Sequence, residues 1–448
     1  MSEPAAVQQP IGAISTPLVE AELKIPPLIK RNTLLLALSQ TFSGAGHGMI
    51  YSLGAIMVVE LLGSPGFAGV GLAILGITRF VISYPFGKFT DTYGRKPGLL
   101  FGLGMSVFGS AVMGGSMLFT SFPLYVFGMF CMGVGTGAAH QLRVAAADMY
   151  PPSRRAEGLG YVLTGSLLGI WGSPLLVMLA DRFAPALGLH PIGMAWILVP
   201  IIALPGIFLI VNVRPDPKEI ATHLERYYPG YKPVRRETGA VGDRVRMRDF
   251  LAHYPKRAAI VTSFAAQGNM AIVMVTMSLL LAHHGHHLPA ISMSMTLHSM
   301  GMFGFSLPLG WLADKLGRRD VLLGGVITAV VGTLLVSMTI DFWPITMGGF
   351  FVGLGWSAVN VASTALLADT SRPWERGRAI GTNDTFGSAS AVALPLITGP
   401  MAAMLGLPAT GVLGIALIIP ALVMLLALRE PSPGIYAHDE GLENAPVA

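Results

Sequence analysis

Ionisable side chains sit inside long apolar stretches at His47, Arg79, His140, Arg143, His298 and Asp384. In hydrocarbon a charged group costs on the order of 3 kcal/mol at mid-depth, so such residues mark solute or ion pathways unless a partner accounts for them. His47 stands between Gln40 and Tyr51, and His298 lies deep in a later stretch. An imidazole titrates near neutrality and can carry a coupling proton; the alternative is a neutral ring bonded to a neighbouring helix. Arg79 suits an anionic substrate group or a carboxylate partner. Arg143 and His140 sit near the end of their stretch, where a long side chain can snorkel to the interface. Asp384 closely follows Gly381 and serves either the pathway or the positive start of its own helix. Gln40, Gln267 and Asn269 are neutral cavity candidates, with helix–helix contacts as the plainer reading.

A second cluster is His283, His284, His286 and His287. Clustered imidazoles suit zinc, copper, nickel or iron. Without a neighbouring Cys or carboxylate, solvated loop histidines account for the pattern better, and no cofactor is expected. No nucleophile–base constellation or phosphate-cradling loop is present, so an enzyme is not expected.

The elements that position these residues follow from composition. Of 448 residues, 52% are hydrophobic and 12% charged, with 55 glycines and a mean hydropathy of +0.62. A helix needs roughly 20 apolar residues to span a bilayer. Twelve stretches qualify, near 33–62, 66–88, 98–119, 123–147, 158–180, 191–212, 258–282, 289–312, 319–340, 343–368, 378–404 and 408–428. This divides the chain into a tail (1–32), a six-helix bundle (33–213), a central loop (214–257), a second six-helix bundle (258–428) and a second tail (429–448). The single Cys131 provides no disulfide framework.

The central loop holds eleven Lys/Arg and six Asp/Glu, which equals the whole net charge of +5. With both termini placed in the cytoplasm, 26 of the 29 Lys and Arg fall on the inner side, leaving Arg182 outside and Arg79 and Arg143 within spans. That bias sets the expected orientation. A basic face beside anionic lipid accounts for the charge without nucleic acid. Residues 245–254, with Arg246, Arg248, Phe250 and Leu251, suggest a basic amphipathic helix lying on that leaflet.

The chain also repeats itself. At an offset of 223, Pro85, Gly87, Asp91, Gly94 and Arg95 match Pro308, Gly310, Asp314, Gly317 and Arg318. At an offset of 221, Asp148, Pro152, Arg155, Gly160 and Pro174 match Asp369, Pro373, Arg376, Gly381 and Pro395. Duplicated halves with a solute site between them are a known transporter plan. Gly94 and Gly317 suit a turn needing positive φ, and Gly87 and Gly310 a close helix approach. Arg79 has no counterpart, because Met302 stands at the same offset.

The segments 87–95 and 310–318 resemble the signature loop G-x-x-x-D-x-x-G-R-[KR] of the major facilitator superfamily. The resemblance covers all twelve spans and implies an all-α membrane fold of two six-helix bundles related by pseudo-two-fold symmetry. It implies that Asp91 faces the start of span eleven near Arg378 and Gly381 when the inner gate shuts. It further implies that Arg95 pairs with Asp148 and Arg318 with Asp369. Two exporter sub-motifs are only partly matched: span four reads Met-Phe-Cys-Met-Gly-Val-Gly over 129–135, and Pro174 is displaced from the pattern begun at Gly165 and Gly169. The expected function is alternating-access secondary transport of a small organic solute across the cytoplasmic (inner) membrane. Proton-coupled efflux by antiport leads. Uptake of a nutrient or metal-related solute is the first alternative, and a non-transporting sensor or assembly factor the second.

Overall fold

Backbone N–H and C=O groups find no partner in hydrocarbon, so each apolar stretch closes its own hydrogen bonds as a helix. The structure, a computed structural model, describes residues 24–151, 154–229, 231, 252–371 and 376–429. Both tails beyond those limits, Pro152, Arg372, Pro373 and residues 245–251 of the expected surface helix lie outside the described residues, as do the side chains of His140 and Arg376.

The first bundle comprises α1 (Pro27–Leu62), α2 (Val70–Tyr93), α3 (Arg95–Leu118), α4 (Phe122–Asp148), α5 (Arg155–Ile170), α6 (Gly172–Phe183) and α7 (Pro191–Val211). Two short helices follow, α8 (Pro217–Thr222) and α9 (Leu224–Tyr227). The second bundle comprises α10 (Tyr254–His283), α11 (Leu288–Gly304), α12 (Ser306–Leu316), α13 (Arg318–Met338), α14 (Phe342–Asp369), α15 (Arg376–Leu405) and α16 (Leu407–Ala427). Four pairings recur in both bundles: α1 on α5 and α7, with α3 on α4 and α7, match α10 on α15 and α16, with α13 on α14 and α16. The pseudo-two-fold relation therefore extends from sequence to packing.

Among the described residues, eleven helices are long and apolar enough to cross a membrane, one fewer than the hydropathy reading expects. The difference lies in the eighth stretch, which is broken at Phe305 into α11 and α12. Pro308 has no N–H to give the Gly304 carbonyl four residues earlier, and the helix interrupts there. Pro174 does the same to Ile170 at the α5–α6 break. Helix α1 is 36 residues long, about 54 Å at 1.5 Å per residue, so it continues past a core of roughly 30 Å. Large apolar side chains such as Phe80, Ile201, Phe208, Val412 and Val423 stand exposed on the helix flanks, as a lipid-facing surface requires.

Candidate functional site

The repeated loops form two matching clamps. Gly94 joins α2 to α3 at φ 104, ψ 161, and Gly317 joins α12 to α13 at φ 98, ψ 159. That backbone region is essentially reserved for glycine. Each turn presents the next arginine to two carboxylates. Arg95 reaches Asp148 through Nε at 3.0 Å and Asp91 through Nη1 at 2.8 Å. Arg318 reaches Asp369 through Nε at 2.9 Å and Asp314 through Nη1 at 2.7 Å. One guanidinium thus ties the end of one helix, the start of the next and the end of a third. The next cation also repeats its role. Lys96 Nζ donates to the Val211 and Val213 carbonyls at 2.6 and 3.1 Å, and Arg319 donates to Leu425 and Leu426 at 3.1 and 3.3 Å. These cations satisfy carbonyls at the negative ends of α7 and α16.

Asp91 does not face Arg378 and Gly381 in this conformation. Its side chain is 67% exposed, and residues Arg378, Gly381, Thr382, Thr385 and Phe386 instead line an open depression of ≈ 300 Å³. Gly87 likewise has no atom within 4 Å of where a Cβ would stand, and Gly310 meets only Val361 Cγ1 at 3.8 Å. The close approach expected of these glycines is absent here because both lie at the face where the halves stand apart.

At mid-depth, α1, α2 and α4 bring three basic groups together. The charges of Arg79 and Arg143 both act on His47, and Arg143 also feels Arg79 and the Tyr51 phenol. The Arg143 guanidinium does not snorkel to the interface. It turns inward, its Cζ 5.9 Å from the Phe303 ring centre on α11. His47 Nδ1 contacts the Ser43 carbonyl at 3.1 Å. His47 Nε2, Gln40 Oε1 and Arg143 Nε are buried atoms with no hydrogen-bond partner among the described residues. Gln267 Oε1 accepts from Trp356 Nε1 at 2.7 Å, and Trp356 packs edge-on against Phe303.

The remaining candidates sit elsewhere. Asn269 exchanges hydrogen bonds with Thr333 between α10 and α13 at 2.9 and 3.0 Å. His298 is fully buried and its Nδ1 lies 2.6 Å from the Gly349 carbonyl on α14. Both contacts stay within the second bundle. Asp384 is exposed on α15. In the histidine cluster, His284 turns back to the Leu280 carbonyl at 2.8 Å, and His286 packs on Phe342. Among the described residues, no three His, Cys, Asp or Glu side chains converge as metal ligands.

Three hydrogen bonds join described residues of the two bundles towards the face opposite the clamps. Ser173 and Ser292 hydroxyls meet at 2.9 Å, Ser278 donates to the Tyr51 carbonyl at 3.3 Å, and Thr296 reaches the Ile170 carbonyl, the one left without a partner by Pro174, at 3.4 Å. Gly69 packs so tightly on the Pro395 carbonyl that no side chain fits, and Gly399 also meets the Gly66 carbonyl too closely for one. Ala55, Ala68, Val275 and Leu279 complete an apolar plug at this end. Among the described residues, the two bundles are joined at one face, and no hydrogen bond between them is seen at the clamp-bearing face, with the polar centre between.

The family model for the Major Facilitator Superfamily matches residues 36–252 and 259–447. The chain belongs to the major facilitator superfamily. It is similar to an uncharacterized MFS-type transporter, YdeG, of Bacillus subtilis (strain 168), at 27% identity over 88% of this chain and 92% of that protein. It is also similar to the multidrug resistance protein MdtG of Dickeya zeae (strain Ech586), at 26% identity over 90% of this chain and 96% of that one. In fold it resembles the inward-open xylose transporter XylE of E. coli, with a TM-score of 0.65, 15% identity, and coverage of 90% and 97% of the two chains.

Two features of this facilitator escape a reading by charge count. Asp216, one acid in a basic loop, accepts from the backbone N–H groups of Arg95, Lys96 and Lys218 at 3.1, 2.9 and 2.8 Å. It caps α3 and α8 together, while Lys218 Nζ donates to the Asp91 carbonyl. Tyr228 then anchors the segment by donating to the Met149 carbonyl at 3.0 Å. Burial pushes that phenol well above its usual range, so it remains a neutral donor. The signal was present as Asp216-Pro217 with Glu219 following, a helix-start pattern. Glu60 was also overlooked; it pairs with His190 at 2.7 Å at the closed face.

Proposed function

We propose that this facilitator is a secondary transporter of a small organic solute working by alternating access, with the clamp-bearing basic face in the cytoplasm. The observation that supports this most is the contrast between a latched face and a parted face around a polar centre. Interhelical hydrogen bonds in membranes average about 0.6 kcal/mol, so three of them make a latch on the order of 2 kcal/mol. Reversing a two-state preference from 1:99 to 99:1 takes about 5.5 kcal/mol. Solute binding and a proton gradient can supply what opening this latch needs. His47 is the residue we assign to proton coupling, because an imidazole can accept a proton and its buried Nε2 has no partner among the described residues. Efflux leads, supported by the similarity to a multidrug resistance protein. Proton-linked uptake is favoured by a different observation, the Arg143 guanidinium with no ion pair among the described residues, since a proton and an anion bound there attract each other.

The test uses proteoliposomes carrying the Cys131→Ser chain with Ser173→Cys and Ser292→Cys, assayed against a panel of organic solutes under an imposed pH gradient. Oxidation should stop flux and reductant should restore it. Flux that persists with the disulfide formed would contradict alternating access at this face. Saturable exchange indifferent to the gradient, or to His47→Ala, would remove the proton from the scheme.

A further inference from the structure

The two bundles present different chemistry to the shared centre. The first supplies Arg79 from α2, Arg143 from α4 and His47 from α1, with His47 Nε2 and Arg143 Nε buried and without a partner among the described residues. The second supplies Met302 at the position matching Arg79, together with Phe303 and Trp356, ring centres 6.2 Å apart at 77°. Two guanidinium groups brought together at low dielectric repel, and each loses its hydration. No carboxylate among the described residues forms an ion pair with Arg143, and its buried Nε has no acceptor. Glu60, the carboxylate within α1, is held away at the closed face by His190. The Arg143 guanidinium lies over a ring face, that of Phe303, whose partner Trp356 is held by Gln267 at 2.7 Å.

We propose that the solute is an organic anion with a planar aromatic body: its anionic group sits between Arg143 and Arg79 beside His47, and its ring lies against Phe303 and Trp356. This deepens the transport reading of the same centre and rests on it. An anion offers a planar guanidinium two acceptor oxygens at once, and supplies the counter-charge that Arg143 receives from no carboxylate among the described residues. Its ring offers Phe303 and Trp356 an offset or edge-on partner. Such a solute touches both bundles through opposite ends. A neutral or cationic molecule of the same shape would leave Arg143 unsatisfied or repel it, and a small anion without a ring would engage one bundle only.

The test measures thermal stabilisation of the purified full chain in detergent by naphthoate and naphthyl phosphate. Naphthamide, naphthylmethylammonium and octanoate serve as the neutral, cationic and non-aromatic controls. At least one aromatic anion should stabilise the chain at millimolar concentration or below, and more strongly than every control. Arg143→Gln should weaken that binding about tenfold or more, with Arg143→Lys intermediate because it keeps charge but not the planar fork. Arg143→Glu should shift preference towards the ammonium probe, a change in selectivity that simple misfolding does not produce. Phe303→Leu should narrow the gap between naphthoate and octanoate. Equal binding of amide or ammonium, unchanged affinity in a monodisperse Arg143→Gln, or no anion binding at all would overturn the proposal. Flux of a neutral solute with no anion binding would sink the anion class and spare the transport reading; anion binding with no flux of any solute would do the reverse.

Discussion

Asp91 illustrates how a side chain's partner depends on conformation: the resemblance places it against span eleven when the inner gate shuts, and here it meets Arg95. Its carboxylate is bonded to Arg95 at 2.8 Å yet remains 67% exposed, so this ion pair contributes under about 1 kcal/mol to stability. Asp91→Asn should therefore leave the detergent melting temperature nearly unchanged. If Asp91 meets α15 when the clamp-bearing face closes, the same substitution should lower flux several-fold without loss of membrane insertion. Normal flux at normal expression would count against a gating role. The Arg95–Asp148 and Arg318–Asp369 pairs were implied by the resemblance of the repeated loops to the family's signature, and both are present. The direction of Arg143 was not. Sequence gives its depth along α4, but whether a long side chain rises to the interface or folds into the bundle depends on neighbours such as Phe303, 160 positions later in the chain. Asn269 shows the converse, since its partner Thr333 makes it a tie between α10 and α13.

At the scale of helices, turns and breaks carry most of the information. Gly94 has a positive φ, and a Cβ there would also stand 2.7 Å from Asp216 Oδ2, the carboxylate that caps α3. Gly94→Ala should destabilise the chain by about 1–3 kcal/mol, the usual cost of forcing a side chain into this backbone region. Gly87→Ala, one helical segment away in open space, should leave the melting temperature unchanged and lower flux only. If both variants melt like the parent, the turn is not strained as described. Hydropathy located all the apolar stretches but treated the eighth as continuous. The break at Phe305 follows from Pro308, a proline visible in the sequence whose consequence depends on whether neighbouring helices hold the segment straight. The short helices after α7 were hidden for another reason: their polar residues have no hydropathy signature, and Asp216 is defined by the backbone it caps.

At the scale of the molecule, the closed face depends on small residues more than on strong bonds. Gly69 and Gly399 allow α15 to meet the start of α2 and the turn before it backbone to backbone. Gly69→Leu should wedge this face open. In the Ser173→Cys, Ser292→Cys background it should slow disulfide formation by about an order of magnitude, and unchanged cross-linking would argue that the latch is set elsewhere. The sequence by itself displayed the two related halves and the apolar stretches, because hydropathy and spacing are local properties that duplication makes visible twice, and the resemblance of its repeated loops implied the family and the clamps. Only the tertiary structure decided which face is shut, that Asp91 stands away from α15, and that Arg79, Arg143 and His47 share one centre. Those facts depend on how α1, α2, α4 and α11 rotate against one another. A charge seen in the sequence has a depth in the membrane; its neighbours come from other helices, and they decide whether it snorkels, pairs or waits for an anion.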